Sequence, residues 1–416
     1  MDFINRNISD NWPTIYRLGC LSLGGLIAFS IAFKGTAIYS LSEVGLLIAV
    51  ATVCYKMRKF VQLPDKVVLF AFAIFAVGLI ISAISHGEEK IIIETLDYFT
   101  RIMVAFFVMY VGVRWFFKSD VFYKAVTVGA LVSAVACLMA YICEPGFMSG
   151  RRFAPWGNNP NVTVQLLAMN IPFLLLALYK LKSSKLWCLL NAFSFAVIMT
   201  GIWMTGSRGG MTGLIAGALL MVTLYWISFK NQWDFRKKIA VSIIMLCLVS
   251  FLSMVITANI YSRANSDKAR LDILTIASYM FIENPVNGVG FGNFKSAIPN
   301  YVHYVGKDKV PQAWVHSHND LFQWLSTTGG VGAGGYIVFS FIIWWYLLKN
   351  IFARKSQWTL WAMMWVTMSL YCHGLVDENI YQRQIAKMYF SLLGLAMAIN
   401  DREIQDCDKF SCEEKV

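Results

Sequence analysis

The stretch "VVLFAFAIFAVGLIISAIS", Val67 to Ser85, decides the fold, because it holds nineteen consecutive residues without a charge. An α-helix of about this length crosses the ~30 Å hydrocarbon core of a bilayer. Comparable apolar blocks recur along the 416-residue chain, in which 57% of residues are hydrophobic and 14% are charged. Soluble domains carry about 25% charged residues. The sequence therefore predicts a polytopic membrane protein and excludes a soluble fold.

The apolar blocks predict about twelve transmembrane helices and an all-α fold. We expect the first span to remain as an anchor, because the N-terminus is polar and leads into a full-length span. The expected limits are 14–33, 37–55, 67–85, 99–117, 122–143, 163–179, 186–204, 211–229, 239–258, 326–348, 358–376 and 385–400. The chain then divides into spans 1–9 (1–258), a large outer loop (259–325), spans 10–12 (326–400) and a tail (401–416).

Basic residues orient these spans. Seventeen Lys and Arg residues lie in the loops after the even-numbered spans 2 to 10, against about six in the short loops of the other side. The positive-inside rule then predicts that both termini are cytoplasmic and that the 259–325 loop is periplasmic. Since topology accounts for the net charge of +12, we predict no nucleic-acid partner.

The outer loop has its own local patterns. Leu271, Leu274, Ala277, Ser278 and Phe281 recur at helical spacing, which predicts an amphipathic helix over 268–282. The following "GVGFGNF" (288–294) is superficially like a dinucleotide fingerprint. It lacks the third glycine and the strand-then-helix context, so we interpret it as a turn with close backbone approach.

Charged residues from four separate places are predicted to share the outer face of the membrane. Charges near a bilayer are costly unless they face a cavity, a partner or a headgroup. Several arginines with a histidine suit a phosphorylated, lipid-linked ligand, because the guanidinium fork matches phosphate oxygens. Headgroup contacts for Arg208, a solvated surface position for Arg270 and an ion pair between Asp377 and Arg383 are the alternatives. The set is Arg208, Arg270, His318, Asp377 and Arg383.

His318 is the residue best suited to accept a proton. The pattern "SHND" predicts a helix start with Ser317 as N-cap and Asp320 three residues on. His318 would then lie in the first turn, where the helix dipole and nearby arginines disfavour an imidazolium. We expect His316, two residues away on a turn, to point elsewhere. The other histidines, His86, His303 and His373, are interpreted as structural.

No cofactor pattern is present in the sequence. There is no Walker A sequence and no HExxH, and the single DxD, Asp406 to Asp408, lies in the predicted cytoplasmic tail. The nine cysteines show no CxxC spacing, so we interpret them as packing residues. We therefore predict no metal and no other cofactor.

Four motifs follow one another along the chain: "TGSRGG" (205–210), "KARLDILTIASYMFIENPVNGVGFGNF" (268–294), "HN" (318–319) followed after nine residues by Gly329-Gly330, and "VDENIYQR" (376–383). In this order they resemble the motifs of the bacterial O-antigen ligases, which belong to a superfamily with O-antigen polymerases and protein O-oligosaccharyltransferases. The resemblance covers most of residues 150–400. One departure is Ile273 or Leu274, about where many members have tryptophan.

The resemblance implies a GT-C-type membrane glycosyltransferase in the bacterial inner membrane, with its active site on the periplasmic face. The donor would be a glycan on undecaprenyl diphosphate, and the acceptor a sugar hydroxyl of lipid A–core. His318 would act as general base, while Arg208 and Arg270 would bind the diphosphate in place of a metal. Asp377 would orient a site group, and one displacement would invert the anomeric carbon. Candidate substrate-binding residues are Asn319, Arg383, Arg152 and His316.

Other functions stay open from the sequence. An O-antigen polymerase would use the same donor but extend a second lipid-linked glycan, and a protein O-oligosaccharyltransferase would glycosylate protein. A lipid or polysaccharide transporter would place charges near the bilayer midplane. In this chain the candidate charges cluster at one membrane surface, and Arg101 is the main exception.

Overall fold

A computed structural model describes most of the chain. The described residues are 37–56, 63–116, 119–143, 152–154, 159–229, 239–245, 264–306, 314–353 and 358–413, with isolated positions at 19, 22, 236, 247 and 249. Every regular element among them is a helix, which confirms the predicted all-α class for this part of the chain. Predicted span 14–33 and most of 239–258 lie outside the described residues.

Twelve α-helices and one 3₁₀ turn occupy the described ranges. The 3₁₀ turn, Val302–Val305, follows α9 directly. The helices are α1 (Ala37–Lys56), α2 (Lys66–His86), α3 (Glu89–Phe116), α4 (Ser119–Cys143), α5 (Pro160–Lys180), α6 (Lys185–Met204), α7 (Arg208–Phe229), α8 (Ala264–Glu283), α9 (Phe294–Tyr301), α10 (Asp320–Ala353), α11 (Trp358–Gly374) and α12 (Arg383–Glu413).

Six helices in the described ranges are long and apolar enough to cross a membrane, so the chain is a multi-pass membrane protein. They are Lys66–His86, Phe122–Cys143, Pro160–Lys180, Lys185–Met204, Arg208–Ser228 and Asp320–Ala353. The total of twelve spans stays a prediction. Helix α10 begins six residues before the predicted span at 326, and α12 continues past 400 through most of the predicted tail.

Local signals set both ends of α2, the helix that contains the apolar stretch 67–85. The Asp65 side chain caps its start, because a carboxylate oxygen accepts the Val67 backbone N–H at 2.9 Å. Gly87 ends it in the left-handed conformation, with φ 69°, a position that glycine occupies without a steric penalty. Its apolar side chains in between pack against α10 on one face.

Helix α10 contains a break at Gly329, whose φ of 63° and ψ of −168° are not helical. The loop after α8 fits against this break: Gly330 N donates to Pro285 O at 2.7 Å, and Gly290 N donates to Thr327 O at 2.9 Å. A Cβ on Gly288 would lie 2.5 Å from the Thr327 backbone. The close backbone approach predicted for the glycine-rich turn is therefore confirmed, and its partner is α10.

The predicted amphipathic helix exists as α8, but its apolar face is rotated from the expected one. Leu271 is 64% exposed, whereas Ile273, Ile276 and Met280 are fully buried. These buried side chains pack with Phe294 and other residues between α8 and α10. The expectation for Leu271 was wrong because two apolar stripes fit helical spacing, and only contact with α9 decides between them.

Glycines bring α7 and α11 into close contact. Gly209, Gly213 and Gly217 recur at every fourth residue of α7, as in small-residue packing motifs of membrane helices. A Cβ on Gly213 would lie 2.4 Å from Ser369 O, and one on Gly209 would lie 2.6 Å from the His373 ring. The first turn of α7 is therefore held against the last turn of α11.

Candidate active site

Arg208 opens α7, and the residues before it form a tight turn. Gly206 has φ 57°, and the buried Ser207 accepts the Gly210 N–H on its Oγ at 3.4 Å. Ser207 is therefore the N-cap of the helix. The positive end of a helix dipole and an arginine side chain lie at the same point, an arrangement that favours an anion.

Arg208 lines a small polar pocket that we call the arginine pocket. Arg270 reaches it from α8, while His373 and Asp377 reach it from α11 and the loop that follows. Three predicted arginines from separate parts of the sequence thus share one cavity with Asp377. Its polar and charged lining residues are Arg152, Asn161, Ser207, Arg208, Arg270, His373 and Asp377.

Arg152 is fixed by hydrogen bonds on two sides. Its Nε donates to Thr205 O at 2.8 Å, and its Nη2 donates to Asn161 Oδ1 at 2.9 Å. These bonds tie it to the end of α6 and the start of α5, at the rim of the arginine pocket. Its neighbour Arg151 lies outside the described residues.

His318 and Asp377 form a pair between α10 and α11. The His318 Nδ1 lies 3.2 Å from Asp377 Oδ1, and the Asp377 side chain is almost fully buried. Burial raises the pKa of Asp377, but the His318 hydrogen bond and the electrostatic interactions with the neighbouring histidines outweigh it and lower the pKa below its usual range. Since an ionised carboxylate only accepts, Nδ1 carries the proton and Nε2 is the acceptor nitrogen.

The backbone around His318 differs from the predicted helix start. His318 has φ 56°, so it lies before the helix in the left-handed region rather than in the first turn. Asn319 is the N-cap, because its Oδ1 accepts the Phe322 N–H at 3.1 Å. The expectation of Ser317 as N-cap was wrong: its hydroxyl instead bonds to Asn319 O at 2.7 Å.

His316 lies beside His318 and does not point elsewhere, which corrects the sequence-based expectation. The two ring centroids are 4.0 Å apart, and His316 Nδ1 lies 3.6 Å from Asp377 Oδ1. The positive φ of His318 folds the chain so that residues two apart share a side. Burial lowers the pKa of His316 to about 4, so this ring is neutral at pH 7.

Three consecutive residues bind the segment 316–320 to the loop after α11. Besides the His318–Asp377 pair, Asn319 Nδ2 donates to Leu375 O at 3.0 Å. Asp320, buried at the start of α10, accepts the Asn379 N–H at 2.6 Å. Both polar atoms of the Asn319 side chain are thus engaged in holding the site together.

Arg383, the remaining predicted site residue, lies away from the arginine pocket. Its guanidinium is 3.4 Å from Asp97 and 3.9 Å from Glu94, both on α3, and it is about half exposed. The structure therefore gives Asp377 and Arg383 different partners, in contrast to the ion pair considered from the sequence.

His373, which the sequence alone indicates to be structural, reaches the candidate site in the structure. It is buried, lines the arginine pocket and hydrogen-bonds Gln165 Oε1 through Nδ1 at 2.9 Å. A polar side chain inside an apolar helix, four residues before Asp377, was the available signal for His373.

Glu378 is likewise buried in the neighbouring loop, where Gln382 donates to it, and burial raises its pKa well above the usual value.

His316, His318 and Asp377 could also hold a metal ion. Each offers one ligand atom, and these atoms lie within 4.8 Å of one another. Two observations disfavour a cation here: the backbone N–H of His318 already donates to His316 Nδ1 at 3.3 Å, and arginines line the adjoining pocket. The absence of a metal stays a prediction.

An apolar groove lies on the other side of the segment 374–377. Asn319 and Asp320 form its polar end beside His318, and aromatic and aliphatic side chains of α10 and α11 line the rest. Phe341 and Trp345 are 71% and 60% exposed. The lining includes Leu321, Phe322, Ile337, Phe341, Trp344, Trp345, Leu348, Tyr371 and Leu375.

Comparison with known proteins finds that part of the chain is similar to one family. The sequence model of the O-antigen ligase family, Wzy_C, matches residues 192–337. This family covers lipopolysaccharide ligases, O-antigen polymerases and O-oligosaccharyltransferases, which are membrane glycosyltransferases acting on lipid-linked glycans. The matched range includes Arg208, Arg270 and His318 but ends before Asp377. No curated protein matches the chain.

Proposed function

We propose, from the O-antigen ligase family domain at residues 192–337, that this membrane protein is an O-antigen ligase. It transfers a glycan from undecaprenyl diphosphate to a sugar hydroxyl of lipid A–core on the periplasmic face of the bacterial inner membrane. The observation that carries the proposal is the shared position of Arg208, Arg270 and Asp377 in one pocket, with His318 bonded to Asp377. This arrangement joins an anion site to a proton acceptor.

The arginine pocket supports the role of a diphosphate site. Arg208 and Arg270 supply positive charge and planar hydrogen-bond donors, and the α7 N-terminus adds its dipole. Negative charge grows on the diphosphate as the glycosidic bond breaks. Fixed donors placed beforehand stabilise that charge most in the transition state, so the reaction proceeds without a metal.

His318 supports the role of general base. With Nδ1–H held by ionised Asp377, Nε2 takes the proton from the acceptor hydroxyl. The hydroxyl oxygen attacks the anomeric carbon as the carbon–oxygen bond to the diphosphate breaks, and undecaprenyl diphosphate leaves with the bonding electrons. One displacement inverts the configuration at that carbon. Asp377 orients the base and stabilises its protonated form.

A lipid-facing site explains why these polar residues lie at helix ends. Both reactants carry hydrocarbon chains, so their reacting groups meet where the membrane meets water. The apolar groove beside Asn319 is open along α10 and suits a lipid chain near His318. Asn319, Arg152 and His316 lie around the base, where they contact the substrates or hold the residues that contact them.

An O-antigen polymerase is the second candidate, because the family domain covers both reactions. It would use the same arginine pocket and the same base but accept a second lipid-linked glycan. A protein O-oligosaccharyltransferase would differ in accepting a protein hydroxyl. The three functions share the donor, so only the acceptor distinguishes them.

The test is expression in a bacterial strain that lacks its ligase but still makes lipid-linked O-antigen. The wild type should restore a capped lipopolysaccharide ladder on a gel, while His318→Ala and Arg208→Ala should not, at equal membrane levels. Glycan lengthening in a polymerase-null strain, without capping, would replace ligase by polymerase. Normal capping by His318→Ala would refute the general-base role.

A further inference from the structure

The buried pair His373–Gln165 has no role in the reaction described so far. Both side chains lie in the helix bundle, His373 at 1% exposure and Gln165 at 0%. Burying polar groups costs free energy even when they bond to each other. An apolar pair of similar volume would fill this space with less cost, so the polar pair requires a reason.

His373 contacts both sides of the arginine pocket. Its ring lies against the first turn of α7, where a Cβ on Gly209 would be 2.6 Å from Cδ2. Its carbonyl oxygen accepts the backbone N–H groups of Val376 and Asp377, each at 3.0 Å. The His373 ring thus packs against the turn that carries Arg208 and lines the pocket that contains Asp377, while the His373 backbone carbonyl holds the turn that carries Asp377.

Helix α5 holds the His373 ring through Gln165. Gln165 Oε1 lies 2.9 Å from His373 Nδ1, which fixes the ring rotation. Asn161, one turn earlier on α5, accepts from Arg152 at 2.9 Å. Two amides at i and i+4 therefore hold two pocket residues, His373 and Arg152, from the same helix face.

We infer that His373, oriented by Gln165, is a positioning residue for the diphosphate site, setting the spacing between Arg208 and Asp377. The inference rests on the proposed function, since it assigns the arginine pocket to the donor diphosphate. Replacing His373 should weaken donor binding more than acceptor binding, because His373 lines the arginine pocket, which the proposed function assigns to the donor diphosphate.

The experiment measures binding of undecaprenyl diphosphate and transfer kinetics with the full-length purified protein. The variants are His373→Leu, Gln165→Leu and their double mutant, with His373→Asn as the conservative replacement. His303→Leu is the matched control, because His303 is an exposed histidine of the outer segment. Thermal unfolding of each variant reports folding separately.

We expect His373→Leu to weaken undecaprenyl diphosphate binding about tenfold and to raise the donor KM, with the acceptor KM unchanged. Gln165→Leu should have a similar effect, and the double mutant should be no worse than His373→Leu, because both act through one ring. His373→Asn should recover part of the binding. His303→Leu should behave as the wild type.

Wild-type donor binding by His373→Leu would overturn the inference. Equal changes in donor and acceptor KM, together with a lower unfolding temperature, would also overturn it in favour of a purely structural role. Binding of undecaprenyl diphosphate that depends on His373, without transfer to lipid A–core, would support the inference while refuting the ligase reaction.

Discussion

At the scale of single residues, the His318–Asp377 pair gives the clearest prediction. Asp377→Asn keeps the shape of the side chain but removes the charge that holds Nδ1–H of His318. The base then loses both its fixed tautomer and the stabilisation of its protonated form, so transfer should fall by at least about 10²-fold. Rates of lipopolysaccharide formation by purified variants would measure this.

Glu88→Gln provides the control for that substitution. Glu88 is an exposed acid that lies outside the arginine pocket, and its replacement should leave transfer near the wild-type rate. Wild-type activity in Asp377→Asn would mean that His318 needs no charged partner, and the orienting role would be abandoned.

A second residue-scale prediction concerns pH. The pKa of His316 is lowered from 6.5 to about 4 by burial, so between these pH values the unfolded chain binds a proton that the folded protein does not. The folded state therefore has its full stability above pH 6.5 and loses stability as the pH falls toward 4, at about 1.4 kcal/mol per pKa unit. Unfolding temperatures measured from pH 7.5 to 4.5 should fall, and less steeply in His316→Asn. Parallel curves for the two proteins would show that His316 does not drive the loss.

His316 also marks a limit of sequence-based prediction at this scale. Charge and hydropathy patterns could predict that Arg208, Arg270, His318 and Asp377 share a membrane face, since span order determines it. The orientation of His316 could not be predicted, because it depends on the positive φ of His318, which no sequence pattern indicates for a histidine.

At the scale of elements, the break in α10 at Gly329 is the feature whose substitution should destabilise the protein most clearly. Gly329→Ala would place a Cβ 2.3 Å from the Val286 backbone at φ 63°, so the loop after α8 must move. Overpacking and backbone strain together should cost at least about 2 kcal/mol. Gly334→Ala, five residues along the same helix, is the control, because nothing lies within 4 Å of its added Cβ. Thermal unfolding of both variants should separate them.

Equal stability of the Gly329 and Gly334 variants would contradict the tight contact between the loop and the helix break. From the sequence, the family resemblance marks Gly329-Gly330 as a motif, and the glycines of 288–294 predict a turn. The sequence could not predict that the two meet, because the hydrogen bonds of Gly290 and Gly330 join residues that are 37 and 45 positions apart in the sequence. The same limit explains the rotated face of α8, where Leu271 and Ile273 compete for burial.

At the scale of the whole molecule, the first question is whether the site works without a metal. Arginines line the pocket, so a divalent cation is not needed to neutralise the diphosphate. Transfer by protein treated with a chelator should equal that of untreated protein. Loss of activity that added Mn²⁺ or Zn²⁺ restores would instead assign the His316–His318–Asp377 cluster to a metal.

The orientation of the molecule in the membrane is the last prediction, and it follows from charge alone. Basic residues concentrate after even-numbered spans, so the outer segment with α8 and α9 should face the periplasm. Alkaline phosphatase, which is active only outside the cytoplasm, should be active when fused after Gly306 and inactive when fused after Lys182. The reverse pattern would place the arginine pocket in the cytoplasm. A ligase cannot work there, because completed lipid-linked O-antigen meets lipid A–core on the periplasmic face, so this one measurement tests topology and proposed reaction together.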